Sequence, residues 1–163
     1  MIKKFKFRHS IEVGLSFGLT SGVITTVGLM VGVYSGTQSK AAVLASIFTI
    51  AISDAMSDAL GIHIAEESEN VHSQKEIWVA TLTTFLSKFV VSSSFVLPLL
   101  ILDIQKAVIV NILYGIVLIT VYNFWVGKKQ PSKTLSIILE HLFIAIVVVV
   151  VSYWVGTWIK QSF

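Results

Sequence analysis

Residues 142–159 read LFIAIVVVVVSYWVGTWI, eighteen consecutive positions without a charge. The valines from Val147 to Val151 would favour a strand in water, because β-branched side chains suit a pleated sheet. The length of the run argues for another solvent. About 20 apolar residues cross a hydrocarbon core ~30 Å thick. Lipid offers the backbone no hydrogen-bond partner, so a run of this kind satisfies itself internally as a helix.

The same pattern recurs along the chain. Residues 13–38, 41–53 and 107–127 also carry no charge. Only 13% of the 163 residues are charged, against about a quarter in a soluble domain. The fold class that follows is an all-α integral membrane protein, one domain over 1–163 with five transmembrane helices. The expected spans are 11–34, 41–65, 76–102, 105–127 and 134–159. Ser10 and Ser39 read as N-caps of the first two helices, and Pro131-Ser132 as the start of the fifth. The first span is too long for the apolar core of a cleavable signal peptide. The longest loop, between spans two and three, is expected to hold about ten residues.

The basic residues orient the chain. Lys3, Lys4, Lys6, Arg8, Lys75, Lys128, Lys129 and Lys133 fall on one side of these spans, and Lys40, Lys106 and Lys160 on the other. The positive-inside rule then puts the N-terminus inside and the C-terminus outside. The chain has no cysteine, which excludes disulfides, thiolate metal sites and iron–sulfur clusters.

Against this apolar background the ionisable residues stand out. Inside a bilayer such residues are costly and mark function by default. Asp54 falls near the middle of span two and Lys88 near the middle of span three. Asp58 follows Asp54 by roughly 6 Å along the helix, toward the inner side. At about 100° per residue, Asp54, Asp58, Ala65 and Glu69 line one stripe, with Gly61 beside it and Ser57 a quarter-turn away. Glu12, Glu66, Glu69 and Glu140, with His141, lie toward the inner side and read as a mouth that collects cations. Lys88 reads equally as a partner that neutralises Asp54 or Asp58. His63 and His141 fit interfacial or satisfied polar positions, and Met30 and Met56 fit packing.

Span one carries Gly14, Gly18 and Gly22, then Gly28, Gly32 and Gly36, each set at four-residue spacing. Such stripes let helices approach closely, within one subunit or across a dimer seam.

No P-loop, dinucleotide fingerprint, nucleophile elbow or H-E-x-x-H motif occurs. Neither catalysis nor a tightly bound cofactor is expected. Carboxylates suit Mg²⁺ and Mn²⁺, imidazole broadens the range to Fe²⁺, and both relay protons in membranes.

Several stretches, GLTSGVITTVGLMVGV, SDALGIHIAEESE, TTFLSKFVVSSSFVLPLL and GKKQPSK before the final SYWVG, carry a resemblance. In this order they resemble the vacuolar iron transporter family, which includes nodulin-like and prokaryotic members, over nearly the whole chain. The resemblance implies a homodimer of five-helix protomers in a prokaryotic cell membrane, with the ion path between the copies. It implies proton-coupled export of a divalent cation, Fe²⁺ or Mn²⁺, from the cytoplasm. Ser21, before Gly22, stands where the family has an aspartate. Asp58 stands at a position often methionine, Asp54 at a small one, and only the short 66–76 segment replaces a long acidic insert. On this footing Asp54, Asp58, Ser21 and Ser57 are the expected ion ligands. Two alternatives stand beside it: a diverged member that moves protons or another small solute, and a membrane scaffold without transport.

Overall fold

The computed structural model describes residues 2–128 and 134–163, with side chains from Phe7 onward. Pro131-Ser132, Lys129 and Lys133 lie outside the described residues, as do the side chains of Lys3, Lys4 and Lys6. Every element among the described residues is a helix. Five of these helical stretches are long and apolar enough to cross a membrane. They are α1 (Ile2–Thr37), α2 (Lys40–Ser68), α3 (Gln74–Ile101), α4 (Ile104–Gly127) and α5 (Thr134–Ser162). The valine run at 147–151 is helical within α5.

The helices outrun the expected spans. Ser10 does not cap α1; it lies inside the helix and is fully buried. Nothing in KKFKFRHS breaks a helix, and Arg8 pairs with Glu12 one turn on, at 3.1 Å. Ser39 does cap α2, its Oγ accepting from Ala42 N at 3.3 Å. The loop from α2 to α3 shrinks to residues 69–73. Asn70 closes α2 with a left-handed backbone, φ 54°. Half of a capping box opens α3: Glu76 Oε2 reaches back to accept from Ser73 N at 2.8 Å.

Two helices are irregular. In α2 the stretch Ile50–Asp54 is a π-turn, joining Lys40–Thr49 to Ala55–Ser68. Ala55 N donates to Ile50 O across it. The extra residue shifts the helical phase just upstream of the aspartates, so a uniform 100° step does not hold through span two. In α3 the helix breaks at Phe95, three residues before Pro98. Proline lacks an N–H and clashes with the preceding turn, which frees carbonyls there. Asn111 Nδ2 donates to one of them, Phe95 O, at 2.9 Å.

The chain groups into two compact units, Met1–Gly22 with Phe48–Ser94, and Val23–Ile47 with Phe95–Phe163. In the first, the N-terminal half of the glycine series meets α3. A Cβ on Gly14 would stand 2.6 Å from Ala80 O, and one on Gly18 the same 2.6 Å from Thr84 O. Only glycine lets the two backbones come this close. Ser87 Oγ uses the proximity to donate to Gly14 O at 3.1 Å.

In the second unit, Gly28, Gly32 and Gly36 face α5 around Val148, Ser152 and Gly156. A Cβ on Gly28 would meet Val148 Cγ1 at 2.5 Å, and one on Gly36 would meet Gly156 O at 3.3 Å. Both glycine sets therefore serve packing within one chain. The core of this unit includes Val23, Val27, Met30, Phe95, Leu99 and Ile119. On α5 itself only Gly156 is buried, leaving an apolar surface suited to lipid.

Candidate functional site

The first unit brings together Ser21, Asp54, Asp58 and Lys88. Asp54 and Lys88 stand near the midpoints of their helices, and Ser21 near that of span Phe7–Thr37. Asp54 closes the π-turn, and Asp58 follows one α-turn later. Lys88 comes from α3 and is fully buried. Its stem passes Gly22, where a Cβ would stand 3.3 Å from Lys88 Cγ. The lysine therefore crosses toward α2 in space that the glycine leaves open.

The ammonium meets three oxygens, two of them as hydrogen-bond acceptors. It donates to Asp58 Oδ2 and, at 2.9 Å, to Ser21 Oγ. Ser21 in turn donates to Asp58 Oδ2 at 2.7 Å. Asp54 Oδ2 lies 2.5 Å from Lys88 Nζ as an ion pair. That approach is not aligned as a hydrogen bond, and Asp54 Oδ2, itself buried, accepts none. Both carboxylates are part-open, their side chains 31% and 20% exposed for Asp54 and Asp58, whereas that of Lys88 is at 0%. The carboxylates thus cover the lysine and present their other side outward.

Ser57 lies exposed on the same helix, outside this cluster. Gly61 continues that outward face, with nothing within 4 Å of where its Cβ would stand. Met56 is exposed, and Met30 is buried beside Asn111 Nδ2 at 3.3 Å. His63 Nδ1 pairs with Thr81 Oγ1 at 3.0 Å, and its ring meets the edge of Trp78.

The acids expected at the inner mouth take different positions. Glu12 pairs with Arg8. Glu66 is buried, its Oε2 3.6 Å from His72 Nε2, while exposed Glu69 reaches the same nitrogen at 3.3 Å. His9 stacks on His72. Glu140 is exposed on α5 and belongs to the second unit, where His141 Nδ1 lies 2.8 Å from Ile137 O. The role of His72 was not anticipated, although its spacing three residues after Glu69 is a readable signal. The Ser73-x-x-Glu76 box was readable in the same way. The π-turn has no comparable sequence mark.

Among the described residues, no three His, Asp or Glu side chains converge as a metal cage. The oxygen donors that do converge are those of Asp54, Asp58 and Ser21, around a cationic group. No family model, curated protein or solved structure matches the chain.

Proposed function

We propose that the chain is a membrane transporter for a divalent cation, Fe²⁺ or Mn²⁺, working as a homodimer that exports the ion from the cytoplasm in exchange for protons. The observation that carries this reading is the convergence of Asp54 and Asp58 on one cationic group halfway along apolar helices. Two carboxylates near a bilayer midplane are costly unless they handle charge. Oxygen donors of this kind suit hard divalent ions.

In this reading Asp54, Asp58 and the Ser21 hydroxyl supply the ligands, and exposed Ser57 adds an oxygen from the outward face. Glu12, Glu66, Glu69 and Glu140 gather cations at the cytoplasmic side. The basic residues favour a cytoplasmic N-terminus. Part-open carboxylates facing bare lipid would be unstable, which supports a second copy, or water between copies, against the face of Asp54, Ser57 and Gly61. The resemblance of GLTSGVITTVGLMVGV and SDALGIHIAEESE to the vacuolar iron transporter family points to the same assignment.

A second reading, transport of protons or another small solute, is favoured by Lys88, which already fills the point between the carboxylates. Mn²⁺ uptake into proteoliposomes separates the two. We expect saturable uptake that disappears in Asp54→Asn with Asp58→Asn; uptake undiminished by both changes would refute the site.

A further inference from the structure

The Lys88 ammonium stands where a bound cation would. It is fully buried behind two part-open carboxylates. An ion arriving from the open side meets Asp54 and Asp58 first. It cannot share their oxygens with the ammonium, because two cations at contact distance repel strongly where water is scarce. Asp54 Oδ2 meets the ammonium at 2.5 Å as an ion pair.

We infer that Lys88 is a tethered stand-in for the transported ion. Its ammonium holds Asp54 and Asp58 when no ion is bound, and an ion binds only by displacing it. This rests on the cation-transport reading above. Gly22 leaves space beside the lysine stem, and Ser21 Oγ, already an acceptor at 2.9 Å, stays within reach of the displaced ammonium. The arrangement does two things. It compensates the carboxylates in the empty site, so the empty protein is not left with bare buried charge. It also lowers affinity by the fraction of time the lysine occupies the site, which lets the ion leave.

The test is Mn²⁺ titration of the purified full chain, by calorimetry, in three forms. Lys88→Gln removes the competitor and is expected to bind roughly tenfold tighter or more than the unaltered chain, as when an occupied state is abolished. Lys88→Arg installs a planar fork that grips both carboxylates, and its binding is expected to be weaker by a similar factor. Equal affinity in all three forms overturns the inference and leaves the transport reading standing.

A measurement on the unaltered chain guards against misfolding of the variants. Acetic anhydride labelling, read by mass spectrometry, is expected to spare Lys88 without Mn²⁺ and to modify it as Mn²⁺ saturates. Mn²⁺ binding with Lys88 still unmodified overturns the inference. Absence of Mn²⁺ binding in every form removes both the inference and the transport reading.

Discussion

Lys88 and Asp54 come from the midpoints of two different helices and meet at 2.5 Å, while Asp58, one turn after Asp54, shares the same ammonium. The two carboxylates are not equivalent. Asp58 accepts from both Lys88 and Ser21, whereas Asp54 holds the lysine by charge alone. Asp58→Asn is therefore expected to destabilise the protein more than Asp54→Asn, by about 1.5–3 kcal/mol, the scale of hydrogen bonds to charged groups. Thermal unfolding in detergent measures the order; a larger loss for Asp54→Asn would contradict it.

Removing the lysine alone leaves two carboxylates facing one another. Lys88→Met is expected to cost about 3–5 kcal/mol, as when one partner of a buried pair is deleted. Adding Asp54→Asn and Asp58→Asn to Lys88→Met should recover most of that loss. Denaturant midpoints of the single and triple variants give the comparison, and an unrecovered triple variant would show that the lysine stem, not its charge, supports the fold.

The glycines of the first unit divide by what surrounds them. Gly18→Ala places a Cβ 2.6 Å from Thr84 O, so α1 and α3 must separate, at a cost of about 1–3 kcal/mol. Gly61 has open space, so Gly61→Leu leaves the protomer intact. If a second copy covers that face, the same change shifts the protein from dimer to monomer. Light scattering in detergent reads the mass, and an unchanged dimer would place the seam elsewhere.

At the Pro98 break, Asn111→Leu keeps the side-chain size but leaves Phe95 O without its donor. The expected loss is about 1–3 kcal/mol, the cost of an unsatisfied buried carbonyl. A thermal scan would show it, and no change would mean that water replaces the amide.

Because the described chain has no cysteine, single introduced cysteines report sidedness cleanly. Gln161→Cys is expected to react with an impermeant maleimide on intact cells, and Val71→Cys only after lysis. The reverse pattern would invert the orientation drawn from the basic residues.

Much of the architecture was legible from residue order. Long, mostly apolar stretches located all five helices, three of them as uncharged runs of bilayer length, because length and apolarity are properties of consecutive residues. The aspartate pair and Lys88 were legible for the same reason: charge within an apolar run is conspicuous. Helix ends were less so. Ser10 looked like a cap because it precedes the apolar run, but backbone hydrogen bonding continued through the polar residues before it. The surroundings of the expected acids were less legible, since burial of Glu66 beside His72 depends on the path of the short loop at 69–73.

By itself, the sequence determined the number of helices, their apolar character and the presence of misfit charges, all set by local composition. Tertiary structure alone decided who pairs with whom. Gly14 and Gly18 admit the α3 backbone, Gly22 leaves space for the Lys88 stem, and the π-turn re-phases α2 ahead of Asp54. Together they set one ammonium between two carboxylates, because a buried charge is tolerated only where close packing brings its partners within reach.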